Sequence, residues 1–172
     1  LSTKETFLLR LDNFSALAIL PAVPSIYIDA DACPVKEHTF KVAKRYSWNV
    51  YVVSRVAIFV PRADWILPVV AGDGFDKVDD WIVEHIGAND IVVTGDILLA
   101  DRCVKKAARV IDNRGRILDE DNIAEAVAMR ELVTELRQRG EIGLGPAKMG
   151  KKQNSNYLSS LDELINRIRN GK

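Results

Sequence analysis

An α/β domain with a mostly parallel central sheet, covered by helices on both faces, is the fold class this sequence predicts. Short β-rich runs alternate with amphipathic stretches from residue 25 onward, the pattern of strand, crossover helix and strand. Those runs, such as Ile26-Tyr27-Ile28 and Ile91-Val92-Val93, are apolar enough to be buried from both sides. A chain of 172 residues, 48% of them apolar, can bury one good core and is too short for two.

Strand one is 25–29. Pro34 fits the first turn of a helix over 34–47, with Val35, Phe40, Val42, Ala43 and Tyr46 as its apolar stripe. Strand two runs 49–53. A loop containing Pro61 leads to strand three, 65–70, placed at a sheet edge because Pro68 has no N–H to donate to a ladder. Residues 76–86 read as a helix stopped by Gly87, and 90–94 as strand four. A helix over 99–108, a short strand over 109–111 and a turn at Arg114-Gly115-Arg116 follow. Asp119 or Asp121 caps a helix to about Arg139, with Ile123, Ala126, Val127, Leu132, Val133 and Leu136 inward. Residues 140–156, rich in Gly, Lys, Asn and Gln, read as a mobile linker to a terminal helix over 157–169. The organisation expected is an N-terminal extension (1–24), a domain (25–139), and a linker with a helix packed on it (140–172).

Composition excludes several classes. The formal net charge is zero, so no global field draws the chain onto nucleic acid or anionic lipid, and any such binding must be local. Cys33 and Cys103 lack the spacing of a zinc site or a disulfide framework, which points to a reducing, cytoplasmic setting. The apolar stretch 14–24 is short and broken by two prolines, and no run is long enough to cross a membrane.

The chemistry is expected at the strand ends, because sites in open parallel sheets form outside their carboxyl ends. Asp29 and Asp31 end strand one, two residues apart on an extended backbone, so both carboxylates can enter one space. Such a pair calls for a cation. Asp96 follows strand four in Val92-Val93-Thr94-Gly95-Asp96, and Gly95 permits a tight turn. Asp76 and Asp79, three apart at a helix start, are read as neighbours on one helical face. Carboxylates from separate loops suit Mg²⁺ or Mn²⁺. Blander roles compete: Asp76 or Asp121 as caps, Asp80 and Asp101 as solvated surface, the three tryptophans as core. Cys33 near a helix start is a weak nucleophile candidate, opposed by its acidic neighbours.

The motifs Ile28-Asp29-Ala30-Asp31-Ala32-Cys33-Pro34, Gly74-Phe75-Asp76 with Asp79-Asp80, Val92-Val93-Thr94-Gly95-Asp96-Ile97-Leu98-Leu99-Ala100 and Met129-Arg130-Glu131-Leu132 together resemble the bacterial YaiI/YqxD family over residues 25–168. That family is grouped with PIN-like domains, typically metal-dependent ribonucleases on a three-layer α/β/α fold. The resemblance implies this fold here, with Asp29, Asp31, Asp76, Asp79 and Asp96 matching the acidic motifs. The chain departs from the family at Leu98, where proline is usual, and in the tail at Gly143-Leu144-Gly145-Pro146 and Lys151-Lys152-Gln153-Asn154-Ser155.

The expectation is therefore a Mg²⁺- or Mn²⁺-dependent nuclease acting on RNA, with DNA as the second choice. Asp29, Asp79 and Asp96 are the metal ligands, and Asp31 and Asp76 a further ligand or outer-shell base. Ser54, Thr94, Lys36 and Arg62 are the candidates for substrate phosphates or a ligand water. The alternatives are a haloacid-dehalogenase-like phosphatase with Asp29 as nucleophile, and a metal- or RNA-binding module without turnover.

Overall fold

A computed structural model describes residues 23–142 and 151–171 of the chain. Six strands form one sheet: β1 (Ile26–Asp29), β2 (Val50–Ser54), β3 (Ile66–Val70), β4 (Ile91–Val93), β5 (Arg109–Ile111) and β6 (Ile117–Leu118). Their spatial order is β3-β2-β1-β4-β5-β6. The first five are mutually parallel, and β6 pairs antiparallel with β5 through Val110 opposite Leu118. Five helices join them: α1 (Lys36–Tyr46), α2 (Lys77–His85), α3 (Ile97–Val104), α4 (Ile123–Gln138) and α5 (Lys151–Arg169).

Alternation along the strands builds the core on both faces. Ile26 and Ile28 of β1, with Val50 and Val52 of β2, pack beneath α1 and α5 through Phe40, Val42, Ala43, Tyr157, Leu161 and Ile165. Tyr27, Val53, Val92 and Val110 face the other way, against Val78 and Ile82 of α2, Leu99 and Cys103 of α3, and Ile123 of α4. The result is the three-layer α/β/α arrangement expected, and each fully buried Ile or Leu contributes about 1.5–3 kcal/mol. Arg45 pairs with Asp162 at 2.7 Å and ties α1 to α5.

Several boundaries differ from expectation. Helix α1 starts at Lys36, because the chain first makes a 3-10 turn over Ala30–Ala32 and no side chain caps the helix earlier. Helix α3 starts at Ile97, two residues early, since the Asp96 carboxylate caps it by accepting from the Leu98 N–H at 2.8 Å. It ends at Val104, and Ala107 then adopts a left-handed φ of 59° that no helix continues through. Strand β6 is too short to leave a periodic signal. Only the first turns of α4 are buried; Leu132, expected inward, is exposed. Helix α5 begins at Lys151, inside the expected linker. Residues 143–150 of that linker, and 1–22 of the extension, lie outside the described residues. Among the described residues, no helix is long and apolar enough to cross a membrane.

Candidate functional site

The chain begins at β1, moves outward to β2 and β3, and returns to β4 on the other side of β1. Crossovers therefore leave in opposite directions between β1 and β4, and a crevice opens at their carboxyl ends. Asp29 is the last residue of β1, and Thr94-Gly95-Asp96 follows β4 directly. Thr94, buried, joins the two: its hydroxyl donates to Asp29 Oδ2 at 2.9 Å and accepts the Asp96 N–H at 3.0 Å. Gly95 does not need a left-handed backbone. A Cβ there would approach the Asn113 amide at 3.2 Å.

The third corner comes from α2. Asp76 is not on a helical face with Asp79, because the helix begins one residue later, and Asp76 occupies the cap position with φ 62° and no capping hydrogen bond from its side chain. Both nonetheless line one cleft of about 280 Å³ with Asp29, Asp31 and Asp96. An adjoining hollow of about 470 Å³ shares Asp29, Asp31 and Asp96 and is closed by Arg130 of α4. A hollow of about 500 Å³ at the amino ends of the strands also holds acids, but there Asp119 accepts from the N–H groups of Asp121 and Asn122 and shapes its own turn.

The electrostatics show that the carboxylates feel one another. Burial, then Asp96, Asp29 and Asp76, push Asp79 up to about 6, against a smaller opposing pull from Arg102. Asp29 is also raised, chiefly by burial, with Asp31 and Asp96 adding to it and the Thr94 hydrogen bond opposing. Among the described residues, Asp29, Asp79 and Asp96 make no ion pair, whereas Asp31 is held by Arg55 at 3.2 Å and Asp80 by Arg102 at 2.7 Å. No three His, Cys, Asp or Glu side chains among the described residues close on a point as a protein-built metal cage would require.

A consequence can be measured without any ligand. Because Asp79 holds its proton to higher pH in the folded chain than in the unfolded one, its favourable contribution is complete below about pH 4 and lost as pH rises through about 6. Asp79→Asn is expected to raise the melting temperature by about 2–4 °C at pH 7.5 in EDTA, or about 1 kcal/mol after allowance for solvent screening. The gain should shrink toward about pH 4. A shift that is the same at both ends of that range would show that Asp79 is not strained by its neighbours.

The other expected residues are placed differently. Ser54 is buried and its hydroxyl donates to the Val56 carbonyl at 2.8 Å, so it does not face the cleft. Thr94 has its hydroxyl donor committed to Asp29, which makes it a positioner of that carboxylate and not a phosphate ligand. Lys36 donates to the Ala30 carbonyl at 3.1 Å and braces the turn after β1. Arg62 lies with Pro61, Asp64, Ile66 and Pro68, toward the start of β3 and away from the carboxylates. Asp101 pairs with Lys105 along α3. Cys33 is buried and pushed up to about 11, so it is a thiol, not a nucleophilic thiolate. The cleft gains instead Arg55, Phe75 and Lys77.

The family described as "Uncharacterized BCR, YaiI/YqxD family" matches residues 27–167. A UPF0178 protein of Gluconacetobacter diazotrophicus is 46% identical over 144 residues, covering 84% of this chain and 94% of its own. A Rhodopseudomonas palustris relative (strain CGA009) is 47% identical over 147 residues, 86% and 93% of the two chains. One from Rhodospirillum rubrum is 43% identical over 148 residues, 86% and 99%. No solved structure matches the chain. With likeness running through all the strands and helices that build the crevice, the chain belongs to the YaiI/YqxD family.

Proposed function

We propose that the cleft binds Mg²⁺ or Mn²⁺ and hydrolyses phosphodiester bonds, with RNA as the first substrate class and DNA as the second. The observation that carries this reading is that Asp29, Asp79 and Asp96 line one cleft, none of them in an ion pair among the described residues, with burial first and the neighbouring carboxylates second pushing Asp79 up to about 6. Carboxylates at such a junction are stabilised by a cation. Their all-oxygen chemistry suits a hard ion that keeps several waters in its shell. Asp29, Asp79 and Asp96 would hold it, with Asp31 and Asp76 positioned to accept hydrogen bonds from its waters. When bound, the ion supplies Lewis acidity and makes an attacking hydroxide available near neutral pH. Thr94 fixes the Asp29 carboxylate and the turn that presents Asp96. Lys77 lines the cleft and Arg130 the adjoining hollow, and both offer charge to substrate phosphates.

The test is Mn²⁺-dependent cleavage of an RNA and DNA panel by the wild type beside Asp29→Asn and Asp96→Asn. Loss of cleavage in both variants supports the reading. Equal residual cleavage in all three proteins would mark a contaminant and sink it, and bound metal without cleavage would favour a binding module. Covalent phosphate trapped on Asp29 would favour the phosphatase, although the Ser54 hydroxyl that such a site would need for phosphate is already bonded to Val56. Thr94→Val should weaken Mn²⁺ binding by about ten- to hundredfold, since it frees the Asp29 carboxylate and strips the Asp96 N–H of its acceptor. Calorimetric titration measures it; unchanged affinity would remove Asp29 from the ligand set.

A further inference from the structure

Phe75 is 94% exposed and lies on the wall of the carboxylate cleft. Isolated exposed apolar side chains are ordinary on protein surfaces, and Phe59, 95% exposed, lines none of the hollows around these carboxylates. The backbone around Phe75 is unusual. Gly74 has φ 149° and Asp76 φ 62°, both in the region that L side chains rarely adopt. A Cβ on Gly74 would sit 2.9 Å from Lys77 Cγ. The turn therefore brings Gly74 close to the Lys77 side chain, and the Phe75 ring stands in solvent at the cleft. Arg55 and Lys77 share that cleft, and Arg130 lines the adjoining hollow with Asp29 and Asp96. An aromatic face and flanking cations suit the base and neighbouring phosphates of one nucleotide, and the carboxylate floor would engage the scissile phosphate through the proposed metal ion.

We infer that Phe75 is a stacking platform for an unpaired nucleobase beside the cleaved bond, so that the cleft takes single-stranded and not duplex nucleic acid. This rests on the phosphodiesterase reading and adds the form of the substrate. A base in a duplex already has its faces covered by its neighbours, and reaching Phe75 would require unstacking it. A free strand offers that face at no such cost. Stacking tolerates any base, so the selectivity is for strand form and not for sequence.

The experiment separates binding from turnover. Fluorescein-labelled single-stranded RNA, single-stranded DNA and the corresponding duplexes are titrated with the full chain in Ca²⁺, and the same substrates are cleaved in Mn²⁺. Wild type, Phe75→Ala, Phe75→Leu and Phe75→Trp are compared. The expected result is tighter binding of single strands than of duplex by the wild type. Phe75→Ala should lose about ten- to hundredfold on single strands and nothing on duplex. Phe75→Trp should restore the affinity and Phe75→Leu should not. Equal binding of the two forms by the wild type, no loss in Phe75→Ala, or full rescue by Phe75→Leu would each overturn the inference. If cleavage occurs but ignores Phe75, the phosphodiesterase reading survives alone. If binding depends on Phe75 in this pattern and no cleavage occurs, the stacking site survives and the hydrolytic reading falls.

Discussion

On the proposed phosphodiesterase reading, Asp29→Asn is expected to lower Mn²⁺-dependent cleavage by about a thousandfold or more while leaving the fold intact. The size follows from what the substitution removes. Asp29 ends β1, where it is paired with Val53 of β2 and accepts from the hydroxyl of Thr94, which follows β4. The amide keeps the volume, and its oxygen can still accept the Thr94 hydroxyl that now donates at 2.9 Å. Only the charge is lost. A loss of about 4 kcal/mol of charge stabilisation corresponds to about three powers of ten in rate. Stability should move the other way, because burial and the nearby Asp31 and Asp96 already disfavour the ionised form of Asp29. The expected observation is a melting temperature in EDTA at or slightly above that of the wild type near pH 7.5, together with single-turnover cleavage at or below background. Asp96→Asn should behave similarly, since asparagine also serves as a helix cap through its oxygen and can hold the Leu98 N–H. Cleavage within about threefold of wild type in either variant would take that residue out of the metal site.

The sheet was legible because its strands must be apolar on both faces. Ile26-Tyr27-Ile28 and Ile91-Val92-Val93 have no solvent-facing positions, so their ends are sharp and the acids just beyond them stand out. That sharpness located Asp29 and Asp96. Asp79 was located by reasoning that only half applies: Asp76 sits in a left-handed cap and not on the helix, and the two meet across the cleft through that turn. The turn at Asp76 could not be read from composition, since aspartate tolerates both conformations. The surface of the site was less legible still. Ser54 stands at the end of β2 as anticipated, but its hydroxyl turns back to Val56, a choice of rotamer and not of sequence position. Lys36 and Arg62 were selected as basic residues near the rim, yet one braces a turn and the other lies toward the start of β3. Arg55 and Lys77 carry no spacing signal at all, because a long cation can reach a cleft from many positions. Arg130 had one available signal, its place in the Met129-Arg130-Glu131-Leu132 motif. The sequence pattern begins the terminal helix at Tyr157 because residues 151–156 are polar, whereas α5 starts at Lys151; a helix needs no apolar stripe where it has not yet reached the core.

Gly115→Ala should destabilise the chain by roughly 3 kcal/mol and lower its melting temperature by about 6–12 °C. Gly115 closes the turn between β5 and β6 with φ 87°, and a Cβ there would lie 2.9 Å from Tyr157 Cα and 3.0 Å from its backbone nitrogen. The obstacle is the backbone of α5, which cannot rotate aside as a side chain could. Either the turn abandons its left-handed residue or α5 lifts from the sheet. Lifting α5 disturbs Tyr157, Leu161 and Ile165, all fully buried against α1 and the strands. It also stretches the 2.7 Å hydrogen bond between the Tyr157 and Thr39 hydroxyls. Tyr157→Phe gives the comparison, because it removes that hydrogen bond while keeping the ring and should cost about 1 kcal/mol. Denaturant titrations of the two variants measure the difference between losing one polar contact and displacing a helix. A cost for Gly115→Ala no larger than for Tyr157→Phe would show that α5 can shift at little expense, and that the close approach of the β5–β6 turn does not fix its position.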